Sequence, residues 1–77
     1  MEFEKVREII SEQKGVSEDK ITMETTFLDD LNADSLDVFQ IISELEDYFE
    51  LEFEADDIEK IKTVGDAVDY IKSALDR

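Results

Sequence analysis

Apolar residues recur every three or four positions over most of this chain, a spacing that predicts amphipathic helices. The first helix is predicted to run from Glu2 to Lys14, and Gly15 directly after it is typical of a left-handed helix stop. The apolar stripe of this helix consists of Phe3, Val6, Ile9 and Ile10. Polar and charged residues fill the other face, so one side of the helix is expected to pack on a core.

A second helix, from about Ser35 to Glu50, has the widest apolar arc in the chain. The members of this arc are Val38, Phe39, Ile41, Ile42, Leu45, Tyr48 and Phe49. Such a width predicts contacts with more than one other helix. The opposite face is acidic, except that Leu36 lies within it and is therefore predicted to be exposed.

Two further helices follow. A short one is predicted from Glu54 to Lys60, with Ile58 and Ile61 turned inward, and Thr63 with Asp66 forms a capping-box pattern that opens the last helix. The inward stripe of the last helix is Val64, Ala67, Val68, Ile71, Ala74 and Leu75. The predicted fold is an all-α, small four-helix bundle of three main helices plus one short helix, in a single domain over residues 1–77.

The segment from Val16 to Ala33 is a long connection whose apolar residues fit neither a strand nor a helix. A connection of this length without regular structure is uncommon unless it has a function. Its apolar residues are expected to anchor it on the core; they are Val16, Ile21, Met23, Phe27, Leu28 and Leu31.

Composition narrows the possible functions. The 77 residues include no Cys and no His, which excludes disulfides, thiolate zinc sites and self-contained Ser-His or Cys-His catalysis. No basic leader or long apolar run is present, so we expect a cytoplasmic protein without membrane insertion. Asp and Glu total 23 against 8 Lys and Arg, a net charge of -15 that disfavours nucleic acid and favours basic protein partners.

One serine lies among acidic residues in the stretch DDLNADSLD, for which a calcium site is the first interpretation to test. Asp30, Asn32 and Asp34 match the first, third and fifth positions of an EF-hand loop. The sixth position should be Gly but is Ser35, and the twelfth should be a bidentate Glu but is Ile41. A specific calcium loop is therefore not expected, while loose binding of divalent cations by the acidic cluster stays open.

A purely structural role is the second interpretation of the same stretch. Asp34 and Ser35 both belong to residue types that are favoured as helix N-caps, so these residues could simply begin the second helix.

The segment Leu31–Asp37, with the sequence LNADSLD, closely resembles the attachment motif of acyl carrier proteins, usually written Gly-Ala-Asp-Ser-Leu-Asp. The resemblance extends in register from Phe27 to Ile71, and the first helix and loop also fit it. It implies that Ser35 carries 4′-phosphopantetheine as a phosphodiester, installed from coenzyme A by a separate holo-carrier synthase (a phosphopantetheinyl transferase). The arm would hold acyl chains as thioesters for fatty acid synthesis enzymes with basic docking patches. No catalytic residue is implied, and we expect a monomer.

The same resemblance implies which residues contact partner enzymes. They are Asp34, Leu36, Asp37, Gln40, Ser43, Glu44, Glu46, Asp47 and Glu59. The family often has Glu where this chain has Gln40 and Met where it has Ser43, so one charge and one apolar contact are missing here. Asn32 replaces the usual Gly, and because Asn tolerates left-handed backbone, a turn there can survive.

Such carriers can shelter an acyl chain between their helices, and Phe39, Ile42, Leu45 and Ile61 could line that space. In the unmodified protein we expect these side chains to form a closed core instead.

Two other functions remain open from the residues alone. One is a carrier for polyketide or other specialised acyl assembly, and the other is an acidic adaptor or divalent-cation-binding protein without a prosthetic group.

Overall fold

The predicted apolar stripes form four helices in the computed structural model, which describes residues 2–76. The helices are α1 (Glu2–Lys14), α2 (Ser35–Phe49), α3 (Ala55–Lys60) and α4 (Val64–Leu75), and a 3₁₀ turn spans Glu18–Lys20. The only β-type pairing among the described residues is an isolated bridge between Thr26 and Thr63. The all-α bundle of three main helices and one short helix is confirmed.

The core lies where α1 packs against α2 and α4. Each of these helices contributes part of its predicted stripe as side chains that are almost completely inaccessible to water. The most deeply buried large residues are Val6, Ile10, Ile21, Ile41, Ile42, Leu45, Val64, Val68 and Ile71. Burying one such aliphatic side chain contributes roughly 1.5–3 kcal/mol, so these residues supply most of the driving force that a chain this short has available.

Two of the helix ends follow the local rules that the sequence predicted. Gly15 ends α1 with φ of 68°, as expected for a left-handed stop. Thr63 caps α4 by accepting a hydrogen bond from the backbone N–H of Asp66, and the Asp66 side chain bonds back to the backbone of Thr63. The end of α2 differs from expectation: Glu50 takes the left-handed conformation there, with φ of 55°, although it is not glycine.

The long connection between α1 and α2 is fastened to the turn between α3 and α4. The backbone N–H of Phe27 donates to the carbonyl of Lys62 at 3.0 Å, and that of Val64 donates to the carbonyl of Thr25 at 2.8 Å. Of the predicted anchors, Ile21, Phe27 and Leu31 are buried. Val16 is partly buried against the core.

Several apolar side chains that the pattern placed inward are in fact exposed. Phe39 is 56% exposed, Tyr48 58% and Leu28 72%, and Met23 and Leu75 also remain accessible. For Phe39 the reason is geometric, because α3 has only six residues and is too short to cover the whole arc of α2. Tyr48 instead lies at the rim of α1, where the Lys5 ammonium is 4.4 Å from its ring centre.

Candidate attachment site

The start of α2 is capped by Asp34. This residue is extended, with φ of -85° and ψ of -175°, and its carboxylate accepts a hydrogen bond of 2.9 Å from the backbone N–H of Asp37. The Asp37 carboxylate in turn accepts a weaker bond of 3.4 Å from the N–H of Asp34. This reciprocal capping box makes Ser35 the first helical residue rather than the cap.

The Ser35 side chain therefore has no structural task. The residue is exposed, and within residues 2–76 its hydroxyl makes no hydrogen bond. A serine that only began the helix would use its oxygen on a first-turn N–H, and Asp34 does that here. The purely structural interpretation explains Asp34 but leaves Ser35 unexplained.

The turn that precedes the cap is anchored on both sides by buried residues. Asn32 has φ of 51°, so the left-handed turn expected at this position is confirmed. The N–H of Ala33 donates to the carbonyl of Phe27 at 2.8 Å, and both of these residues are buried. Leu31 is buried as well. Because the chain is anchored on both sides of Asn32, the orientation of Ser35 toward solvent is fixed by the loop and by α2 together.

A groove of about 570 Å³ opens beside Ser35, between the loop, the first turns of α2 and the helix α3. Its apolar lining consists of Phe27, Leu28, Ala33, Val38, Phe39, Ala55, Ile58 and Ile61. Two of the side chains expected there, Phe39 and Ile61, line it. Ile42 and Leu45 do not, because they are completely buried in the main core. The expectation of a closed core holds for Ile42 and Leu45 but is wrong for Phe39.

The predicted partner residues form one surface. Those on α2 and its cap continue along a single helix from Ser35, and Glu59 on α3 borders the same groove as Asp34. We call the polar face of α2, together with its cap and Glu59, the docking strip. Its exposed members are Asp34, Leu36, Gln40, Ser43, Glu44, Asp47 and Glu59, with Leu36 66% exposed as predicted.

Two members of the docking strip also hold the fold together. Glu46 accepts a hydrogen bond of 2.8 Å from the N–H of Phe53, which ties the connector after α2 back to the helix. Asp37 accepts a bond of 2.8 Å from the Lys14 ammonium at the end of α1, and this bond lowers the pKa of the Asp37 carboxyl below its usual 3.8. Sequence reasoning missed Lys14, because nothing in a local pattern links residues that far apart.

The carboxylates of the calcium-like motif are used by the backbone. Asp30 accepts a 2.9 Å bond from the N–H of Thr26, while Asp34 caps α2. Nowhere in residues 2–76 do three or more acidic residues converge in a geometry that could hold a metal ion.

Among the helices described, none has both the length and the apolar character that crossing a lipid bilayer requires.

Comparison with known proteins agrees with this geometry. Residues 4–71 match the family model described as a phosphopantetheine attachment site. An acyl carrier protein of Clostridium perfringens (strain SM101) is 54% identical over 69 residues, which cover 90% of this chain and 91% of that protein. An acyl carrier protein of Clostridium acetobutylicum is 48% identical over 73 residues, covering 95% of each.

The fold is also similar to a solved structure of the acyl carrier protein from Enterococcus faecalis. The TM-score is 0.81 at 47% identity, with 94% of this chain and 91% of that chain covered. The family model and the relatives each span most of the chain, and the solved structure has the same arrangement of helices. This chain belongs to the acyl carrier protein family, whose defining feature is a phosphopantetheine attachment site.

Proposed function

We propose that this protein is a non-catalytic acyl carrier for fatty acid synthesis and that the Ser35 oxygen is the point where its 4′-phosphopantetheine is attached. The observation that carries this proposal is that Asp34, and not Ser35, caps the start of α2. Asp34 caps the helix, and the adjacent Ser35 hydroxyl is exposed with no hydrogen bond inside residues 2–76. A side chain that is exposed at a capped helix start and makes no hydrogen bond of its own is well suited to modification by a visiting enzyme.

Attachment requires chemistry that this chain does not contain. In the transfer from coenzyme A, the Ser35 oxygen forms a bond to phosphorus, the pyrophosphate bond breaks, and adenosine 3′,5′-bisphosphate leaves. A serine hydroxyl is a weak nucleophile without a base, and the chain has no His. A separate magnesium-dependent transferase must therefore accept the proton. Once bound, the group supplies a terminal thiol that holds an acyl chain as a thioester.

The residues around Ser35 suit the phosphate of this group in one respect and oppose it in another. At the start of α2, the backbone N–H groups of Ser35 and Leu36 make no hydrogen bond within the described residues, and a helix N-terminus favours an anion. The carboxylates of Asp34 and Asp37 repel a phosphate at the same end. We infer that these carboxylates serve partner recognition and capping, while the phosphate remains largely in water.

The docking strip is an acidic surface that complements a basic patch on a partner enzyme. Most of its acidic members are exposed, and the whole molecule carries a net charge of -15. Long-range attraction would bring basic synthesis enzymes and the transferase to the side of α2 that presents Ser35. Leu36 would add an apolar contact at the end of that surface nearest to Ser35.

The groove beside Ser35 is the natural place for the first part of an attached acyl chain. Its apolar lining includes the exposed ring of Phe39 from α2 and the side chain of Ile61 after α3. Removing a hydrocarbon from water is worth about 0.8 kcal/mol per CH₂, so even partial entry of the chain would favour shelter there. We place the carrier in the cytoplasm as a monomer.

Intact-mass measurement tests the attachment directly. The unmodified protein is incubated with coenzyme A, Mg²⁺ and a broad-specificity phosphopantetheinyl transferase, and it is expected to gain the mass of one phosphopantetheine group. Ser35→Ala should gain nothing while keeping the helical circular dichroism of the original protein. Ser73→Ala is the matched control, because Ser73 is an exposed serine on α4, outside the docking strip, and it should be modified normally.

Failure of the original protein to gain this mass would overturn the carrier function. It would instead favour an acidic adaptor that binds basic proteins without a prosthetic group. Gain of the mass by Ser35→Ala would leave the carrier function standing but assign the attachment to a different residue.

A further inference from the structure

One ion pair joins the two helix ends nearest to the attachment site. Lys14 is the last residue of α1 and Asp37 lies in the first turn of α2, and the Lys14 ammonium is 2.8 Å from Oδ2 of Asp37. The cation is at the negative end of one helix dipole and the carboxylate at the positive end of the other, so both dipoles favour the pair. The side chains are 19% and 35% exposed, and the pair is therefore only partly screened by water.

This pairing distinguishes Asp37 from the rest of the docking strip. Among the described residues, Asp37 is the only acidic residue of α2 that forms an ion pair. Glu44 and Asp47 are exposed and have no such partner within residues 2–76. A basic enzyme that approaches α2 therefore meets carboxylates without an ion-pair partner at Glu44 and Asp47. At Asp37, close to Ser35, it meets a carboxylate whose charge is already balanced by Lys14.

The atoms of Asp37 are unequally available. Oδ2 accepts from the Lys14 ammonium and, at 3.4 Å, from the N–H of Asp34. Oδ1 makes no hydrogen bond within residues 2–76. An arginine or lysine of a partner can reach Oδ1, but it must do so against the positive charge of Lys14. A bidentate contact from one arginine to both Asp37 oxygens would require Lys14 to move away.

We propose that Lys14 competes with the basic residues of partner enzymes for the Asp37 carboxylate. It thereby weakens the docking of these enzymes, including the phosphopantetheinyl transferase, at the start of α2 beside Ser35. This inference rests on the proposed function, because it takes α2 to be the docking surface of a carrier. A carrier must leave one enzyme to reach the next. An internal cation at this position would limit how tightly any single basic partner binds.

The test replaces Lys14 by Met, which keeps an unbranched side chain of similar length but removes the charge. The dissociation constant for the transferase, measured by titration calorimetry on the unmodified protein, is expected to fall roughly two- to five-fold. The kcat of phosphopantetheine transfer should stay unchanged, because Lys14 takes no part in the reaction. Circular dichroism and a melting curve check that each variant is folded.

Three comparisons isolate the local effect. Lys14→Arg keeps the charge and should bind the transferase as the original protein does. Lys72→Met removes the same charge from exposed α4 and measures what net charge alone contributes, which should be smaller than the effect at Lys14. In a chain that already carries Asp37→Asn, adding Lys14→Met should change the dissociation constant no more than Lys72→Met does, because no carboxylate remains to be released.

An unchanged or weaker affinity in Lys14→Met would overturn the inference and assign Lys14 a purely structural role. So would an affinity gain in the Asp37→Asn background that is larger than the gain from Lys72→Met. These outcomes are separable from failure of the carrier function, in which the original protein would gain no phosphopantetheine mass at all.

Discussion

At the scale of single residues, the carboxylates of this chain either cap helices or lie exposed to solvent and partners. Asp34, Asp37 and Asp66 close hydrogen bonds at helix starts, whereas Glu44 and Asp47 are exposed on the docking strip. The chemical group is the same, and for these three aspartates the position at a helix N-terminus decides the structural role. Counting acidic residues therefore says little about which of them recognise partners.

Asp66 provides a measurable case of the structural role. Its carboxylate accepts bonds of 3.0 and 3.1 Å from the N–H groups of Lys62 and Thr63, with the Lys62 bond the larger cause of a lowered pKa. Asp66→Ala is expected to reduce the free energy of unfolding at pH 7 by about 1 kcal/mol, the usual size of a lost helix cap. Urea denaturation followed by circular dichroism measures this loss.

The loss should depend on pH in a defined direction. A carboxyl whose pKa is lower in the folded than in the unfolded protein stabilises the fold above its unfolded value of 3.8. That stability disappears as the pH falls through the lower, folded value. The difference between the original protein and Asp66→Ala should therefore be constant from pH 7 to about 5 and shrink below 3.8. Asp69→Ala, an exposed control on the same helix, should show no loss at pH 7.

At the scale of helices, the end of α2 carries local strain. Glu50 has φ of 55° and ψ of 51°, and its N–H bonds to the carbonyl of Glu46. A left-handed conformation costs a residue with a side chain roughly 1–2 kcal/mol, which glycine avoids. The turn places Leu51 and Phe53 back toward the bundle, both of them at least partly buried, so burial of these side chains holds Glu50 in place.

Glu50→Gly is accordingly expected to stabilise the protein. We expect a gain of roughly 0.5–1 kcal/mol after the added flexibility of the unfolded chain is subtracted, which thermal unfolding measures as a rise in Tm. Glu50→Gln is the control, because it removes the same negative charge but keeps the side chain. If both variants gave the same rise, relief of charge repulsion and not of backbone strain would be the cause.

At the scale of the whole molecule, charge acts on stability and on binding in opposite senses. A net charge of -15 on 77 residues repels itself when the chain folds. The same charge attracts basic partners over distances that salt screens, with a Debye length of about 10 Å at 0.1 M. One variable, ionic strength, therefore reports on both effects.

We expect added NaCl to raise Tm and, at the same time, to raise the dissociation constant for the transferase. A gain on the order of 1 kcal/mol in stability corresponds to roughly 4–8 °C for a domain of this size. Melting curves and binding titrations over the same salt series measure the two responses. A Tm that did not respond to salt would show that the charge is too well dispersed to strain the fold.

The local sequence was sufficient to predict the helices and the candidate serine. Helix stripes, the stop at Gly15 and the capping box at Thr63 depend on residues within four positions of one another, and periodicity records such relations directly. The position of Ser35 at the start of α2 followed in the same way. The motif around it pointed to an attachment site, and the comparisons bear out the family.

Only the tertiary structure decided what surrounds that serine. The Lys14–Asp37 pair joins residues 23 positions apart, and the groove beside Ser35 is assembled from the loop, α2 and α3. The exposure of Phe39 depends on the shortness of α3, which leaves part of an apolar arc uncovered. Periodicity states which face of a helix is apolar, but how much of that face is covered depends on where the neighbouring helices end.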